Sequence, residues 1–267
     1  MMKKASKYIY LCLVMLFLYA PIFVLIVFSF NTTKSHSVMS GFSFKWYQEL
    51  IEDKTIMKSL LNTMIVALSA SSISTILGTF AAIGINNMKK IPKSLTLSVN
   101  NMPILNPEIV TGVSLMLLFV FFAARMHFKM GFITLIIAHI TFDAPYVVLN
   151  VMPKLRQMDN NLVDAAEDLG CNPMQAFFKA VLPEIFPGVV SGFLMAFTYS
   201  LDDFVISYFV SGTSVQTLPV TIYSMTRKQV SPKINALSTI IFLIVVIVLV
   251  VKNIVEKKRI KREEIKI

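Results

Sequence analysis

Apolar residues along this chain are gathered into long uninterrupted runs, and the polar residues are confined to the gaps between them. The runs cover residues 8–30, 59–86, 100–124, 130–150, 185–210 and 236–252. Each is close to or above the roughly 20 residues with which a helix crosses the hydrocarbon of a bilayer. Soluble helices and strands alternate polar and apolar positions at short period, and these runs do not. The pattern predicts an all-α polytopic membrane protein of six transmembrane helices.

One gap in the second half has a periodicity of its own. Residues 153–184 include Asp164-Ala165-Ala166-Glu167-Asp168-Leu169-Gly170 and, further on, Leu182-Pro183. Carboxylates at membrane depth cost several kcal/mol each, so this segment is expected outside the hydrocarbon. Asn161 is placed to cap a short helix with Asp164 on its third position, and Gly170 to end it in a left-handed turn. Asn172-Pro173 reads as a second start, with Asn as the cap and Pro at the first helical position. Met174, Phe177, Phe178 and Val181 are expected on one apolar side of that second helix, which makes the pair a knob able to fill a groove on a soluble partner.

Composition narrows the class without changing it. Hydrophobic residues make up 55% of the 267, and the mean hydropathy is +0.70. Lys and Arg number 16 on the side holding both termini and the Asp164 gap and 9 on the other, so both termini and residues 153–184 are expected in the cytoplasm. The formal charge of +10 is concentrated in the tail from Lys257 to Lys266, which suits anionic lipid and not nucleic acid. Cys12 and Cys171 fall too far apart in this topology to pair, and His36 and His127 have no metal-ligand spacing, so no disulfide, metal or cofactor is expected. The run after Lys3, Lys4 and Lys7 is longer than a signal peptide's and lacks a small-residue cleavage site; it is expected to remain as an anchor.

Small residues crowd the second run (Ala67, Ala70, Ser71, Ser74, Gly78, Ala82), which predicts a helix packed closely against others. Gly188 and Gly192 repeat the theme, against either the chain's own bundle or a partner. Phe42 to Tyr47 holds Trp46 and Tyr47, for which an aromatic belt at the membrane surface is sufficient explanation. No internal repeat or linker is evident, so the chain reads as one integral domain, residues 1–267.

The spacing of Asp164-Ala165-Ala166, Gly170 and Leu182-Pro183 resembles the EAA loop of permease subunits of ATP-binding-cassette (ABC) importers. The family usually has Glu where this chain has Asp164 and a larger aliphatic residue at Ala180. The resemblance implies the type I importer-permease fold with cytoplasmic coupling helices, and it makes Asp164, Ala165, Ala166, Gly170, Leu182 and Pro183 the residues that couple to an ATPase. The chain has no G-x-x-x-x-G-K-[ST] phosphate loop, so ATP hydrolysis belongs to a separate subunit and the permease is not an enzyme.

Carboxylates that interrupt or border the runs are candidates for the substrate path: Glu108, Asp143 and the pair Asp202-Asp203 inside the fifth run. Such a lining attracts cations and repels anions. With Tyr199 one turn before Asp202, aromatic faces could accompany the methylenes and ammonium groups of a polyamine. Of two adjacent acids on a helix only one can face a given direction, so one is expected to line the path and the other to bond neighbours. His139 is read as a satisfied bundle histidine, and Asp143 as structural or functional with equal weight. The phrases Asn106-Pro107-Glu108-Ile109-Val110, Leu201-Asp202-Asp203-Phe204 and Tyr223-Ser224-Met225 resemble the PotC-type permeases of spermidine/putrescine importers. That resemblance implies a second related permease, two ATPase subunits and an external polyamine-binding protein in a bacterial inner membrane. The alternatives are an ABC permease for another cationic or neutral nutrient and an ion-coupled secondary transporter.

Overall fold

The computed structural model describes residues 2–33, 38–126, 128–159, 161–228, 231–243 and 246. Among them there is no strand, only an isolated bridge between Asn31 and Phe42. The helices are α1 (Met2–Ser29), α2 (Lys45–Glu52), α3 (Lys54–Asn86), α4 (Lys90–Leu105), α5 (Glu108–Met126), α6 (Phe132–Gln157), α7 (Asn161–Asp168), α8 (Pro173–Ala176), α9 (Leu182–Asp202), α10 (Val205–Val210) and α11 (Leu218–Lys228), with a π-helical turn over Phe177–Val181. A further apolar helix covers Pro232–Leu243; the rest of the expected sixth span, 236–252, apart from residue 246, and the basic tail lie outside the described residues.

Among the described residues, five stretches are long and apolar enough to cross a membrane: Tyr10–Ser29, Lys54–Asn86, Glu108–Met126, Phe132–Gln157 and Pro173–Asp202. They leave large side chains such as Phe17, Phe23, Leu117 and Phe121 exposed. In water such surface would drive aggregation, whereas in lipid it is the solvated surface.

The residues fall into two compact units, Met1–Met57 with Ile222–Ile267, and Lys58–Thr221. In the first, the segment after α1 is tied down by Asn31, whose side chain donates to Val38 O and accepts from Ser40 N at 2.9 Å each. Trp46 is buried and its indole N–H donates to the Asn31 carbonyl, so this Trp is an anchor of the loop and not a belt residue as its position suggested. The exposed aromatics are instead Phe42 and Phe44, packed with Phe30 and Tyr47. Asp53 accepts the N–H groups of Thr55 and Ile56 at the start of α3, and Lys233 lies 3.5 Å from both Glu49 and Asp53.

In the second unit, α6 is the central helix, with half of its residues buried; it packs chiefly on α9 and also meets α10 and α4. Close approach is licensed by glycine. A Cβ on Gly188 would sit 2.9 Å from Asn150 O, one on Gly192 3.2 Å from Val147 Cα, and one on Gly78 2.7 Å from Val147 Cβ. The Gly188 to Gly192 motif therefore serves the chain's own bundle. Val147, Val148, Val151, Met152 and Leu155 of α6 form a core with Val181 and Ile185, and Val163, Phe177 and Leu182 pack against it.

Two expected spans are interrupted. The run 100–124 is divided at Asn106-Pro107: a residue before proline is forced out of the helical region, and Asn106 is extended at ψ 142°. The run 185–210 is divided after Asp202, with Asp203 extended at ψ 119°. The acidic pair is consequently not within a continuous helix, as the apolar pattern indicated, but at a break.

Candidate functional site

The two breaks carry the site. At the first, Pro107 O receives the N–H groups of Val110 and Thr111, and Glu108 opens α5 with its carboxylate exposed. Negative charge is favourable at that end of the helix dipole. At the second, Asp203 turns inward: its two oxygens accept Ile206 N–H at 3.1 Å and Ser207 N–H at 2.7 Å, satisfying donors that the start of α10 leaves open. A short acidic side chain competing for these N–H groups is the local reason the helix stops. Asp202, its neighbour, remains exposed. The pair is thus split as adjacency demands, Asp203 bonded within the protein and Asp202 presented outward.

Behind the second break lies a buried polar chain. His139 of α6 meets Ser200 Oγ through Nδ1 at 2.8 Å and Ser207 Oγ through Nε2 at 3.2 Å, with Asp203 Oδ2 at 3.5 Å from Nε2. Ser200 donates to Asp143 Oδ2 at 2.8 Å, while Asp143 Oδ1 has no hydrogen-bond partner. Asp143 has no exposed surface in this chain, in contrast to Glu108 and Asp202. His139 is a satisfied histidine in the bundle. Ser200 and Ser207 were not picked out from sequence; a signal existed in hydroxyls three residues before and four after Asp203, facing the i, i+4 pair His139 and Asp143.

Aromatic rings adjoin the acids. Tyr199 lies 4.4 Å from Tyr146 between ring centroids, and Phe142 is 5.4 Å from Tyr146. Glu108 is within electrostatic reach of Asp202 and Asp203, and Tyr146 within that of Glu108 and Asp143. The fold therefore brings Glu108, Asp143, Tyr199, Asp202 and Asp203 into one neighbourhood within the second unit.

The hairpin between α6 and α9 is a separate feature. Gly170 has φ +87° and ends α7 with paired bonds, Cys171 N–H to Ala166 O at 3.1 Å and Gly170 N–H to Glu167 O at 2.8 Å. Asn172 caps α8, accepting Gln175 N–H, and the Gln175 side chain accepts Asn172 N–H in return. Two expectations need correction here. The start of α7 is held by Asp159, whose carboxylate accepts the Asn161 N–H, so Asn161 is the first helical residue and not the cap. The expected apolar stripe is divided between two faces: Val181 is buried and Phe177 packs on the core, whereas Met174 and Phe178 are exposed. Asp164, Ala165, Gly170 and Pro183 are exposed, Ala166 and Leu182 partly so, and Leu169 is 87% exposed.

Residues 74–261 match the family of binding-protein-dependent transport system inner membrane components. The chain belongs to that family. It is 40% identical over 228 residues to the putrescine transport system permease protein PotI of Escherichia coli, covering 84% of this chain and 81% of that one. It is 34% identical to the spermidine/putrescine transport system permease protein PotC of Haemophilus influenzae, over 91% and 93%. Among solved structures, a bacterial ABC transporter involved in import of the acidic polysaccharide alginate superposes with a TM-score of 0.70 at 13% identity, over 96% of both chains. The methionine ABC transporter MetNI gives 0.52 at 18%, over 79% and 98%. The fold is that of a type I ABC-importer permease, and the chain is a multi-pass membrane component that works with an ATPase and a substrate-binding protein. It is a permease and not an enzyme.

Proposed function

We propose that this permease forms part of the path by which polyamines, putrescine or spermidine, enter a bacterial cell at the expense of ATP. The observation that carries the reading is the exposed pair Glu108 and Asp202 on neighbouring helix breaks, with Tyr199 and Tyr146 beside them. An ammonium about 4 Å from one carboxylate gains on the order of 4 kcal/mol at an effective dielectric of about 20. A diamine can use two such acids while its methylenes lie against tyrosine faces. The names of the 32–40% identical relatives support the same class of cargo. An anionic cargo such as alginate would be repelled by this lining, so the likeness to that transporter carries over to fold alone.

The complex would hold a second related permease, two ATPase subunits and an external polyamine-binding protein, in the inner membrane with both termini and the hairpin in the cytoplasm. The 16 to 9 distribution of Lys and Arg supports that orientation. In this scheme Leu169, Met174 and Phe178 seat in the ATPase, flanked by Asp164 and Ala165. Closure of the ATPase pair on ATP pushes the hairpin, and Val163, Phe177 and Leu182 pass the movement to the core of α6 and α9. The helices then rock between outward-open and inward-open states.

The test is uptake by the assembled complex in proteoliposomes with ATP inside. Labelled putrescine or spermidine should accumulate when the binding protein is supplied. Accumulation of neither, with ATP hydrolysis intact, would remove the polyamine assignment.

A further inference from the structure

The break follows directly on Asp202, the last residue of α9, and the cargo site read above requires that helix end to keep its place against α10. We infer that His139 is the positioning residue that clamps this break, tying α10 to the end of α9 and so holding Asp202 in place at the path. The inference rests on the proposed site at Asp202.

The hydrogen-bond arithmetic is specific. Ser200 has one hydrogen, committed to Asp143 Oδ2, so its oxygen accepts from His139 and Nδ1 carries a hydrogen. The other ring nitrogen, in the neutral ring, accepts from the Ser207 hydroxyl. Ser200 stands on α9 before the break and Ser207 on α10 after it. One buried ring from α6 therefore ties both sides together, and its Nε2 edge lies against Asp203 Oδ2. Asp203 is held inward by the Ile206 and Ser207 amides, and the residue before it, Asp202, is exposed. Asp143, through Ser200, fixes the ring tautomer, the role that a carboxylate behind a working histidine commonly has.

A glutamine side chain offers one N–H and one carbonyl oxygen at nearly the spacing of the two imidazole nitrogens, whereas leucine fills similar volume with neither. In the full complex, His139→Leu should raise the half-saturating concentration of labelled putrescine about tenfold, the scale of one or two lost hydrogen bonds, with maximal rate little altered. His139→Gln should recover most of that loss. On an Asp202→Asn background His139→Leu should add nothing further, because it acts through Asp202. A second readout needs no cargo: in a chain with Cys12 and Cys171 replaced by Ser, a cationic thiol reagent should label Asp202→Cys readily, and His139→Leu should slow that labelling.

Equal behaviour of His139→Leu and His139→Gln, or a full additional loss on the Asp202→Asn background, overturns the clamp. Wild-type uptake by Asp202→Asn alone would instead overturn the cargo site, and the clamp's purpose with it. If His139→Leu does not reach the membrane, Ser200→Ala and Ser207→Ala each cut one arm; the two losses must then fail to add, and additive losses overturn the clamp.

Discussion

Gly170 offers the cleanest perturbation of the coupling hairpin, because its role is conformational only. Its φ is +87°, and a Cβ placed there would meet nothing within 4 Å. Substitution therefore adds no clash, only the cost of holding an L-residue in left-handed backbone, roughly 1–2 kcal/mol. Little in the hairpin can offset that cost. No residue of α7 is fully buried, and Val163 is its side chain packed on the core. A penalty of that size lowers the population of the formed hairpin by about 5- to 30-fold relative to the opened one. The variants to compare are Gly170→Asn, Gly170→Ala and Gly170→Val, in which tolerance of positive φ falls in that order. In the assembled transporter, cargo-stimulated ATP hydrolysis and uptake should fall in the same order, with hydrogen exchange rising over residues 161–171. The melting temperature of the permease should barely move, since the loss is local. Wild-type uptake and exchange in Gly170→Val would refute the reasoning.

The remaining predictions concern packing. Gly188→Val should destabilise the α6 and α9 pair by about 1–3 kcal/mol, because the new Cβ meets the Asn150 carbonyl at 2.9 Å and backbone cannot yield cheaply; thermal unfolding in detergent checks it. Gly84→Ala, in the last turn of α3 where a Cβ meets nothing within 4 Å, should instead stabilise by roughly 0.5 kcal/mol in the same assay. Trp46→Phe keeps an aromatic ring, though a smaller one, and removes the donor to Asn31 O, a loss of about 1–2 kcal/mol or more that should show as faster proteolysis of the loop after α1.

Helix content and the hairpin were legible because both depend on local signals: uninterrupted apolar runs, an αL glycine after a short polar helix, and Asn-Pro at a helix start. The breaks at 106–107 and 203–204 were hidden because the apolar runs continue across them; hydropathy registers solvation, not hydrogen-bond connectivity. Pro107 was nevertheless a usable signal, while the break at Asp203 depends on a side chain reaching two amides and a histidine 64 positions earlier in the chain. Trp46 was misplaced for a related reason. Whether its indole finds a carbonyl in a folded loop or the lipid headgroups is decided by tertiary contacts. The stripe on the second hairpin helix was divided because its two i, i+4 pairs, Met174 with Phe178 and Phe177 with Val181, look in different directions, and only the second meets the chain's own core. The acids and Tyr199 were found individually, and it is the packing of α5 on α10 and of α9 and α10 on α6 that gathers them.

The central claim is that a cation passes Glu108 and Asp202. Its most direct measurement is the half-saturating concentration for ATP-driven putrescine uptake with the two acids replaced by their amides. A higher value is expected in Glu108→Gln and in Asp202→Asn, and no saturable uptake in the double variant at wild-type membrane level. Unaltered uptake by the double variant would contradict it.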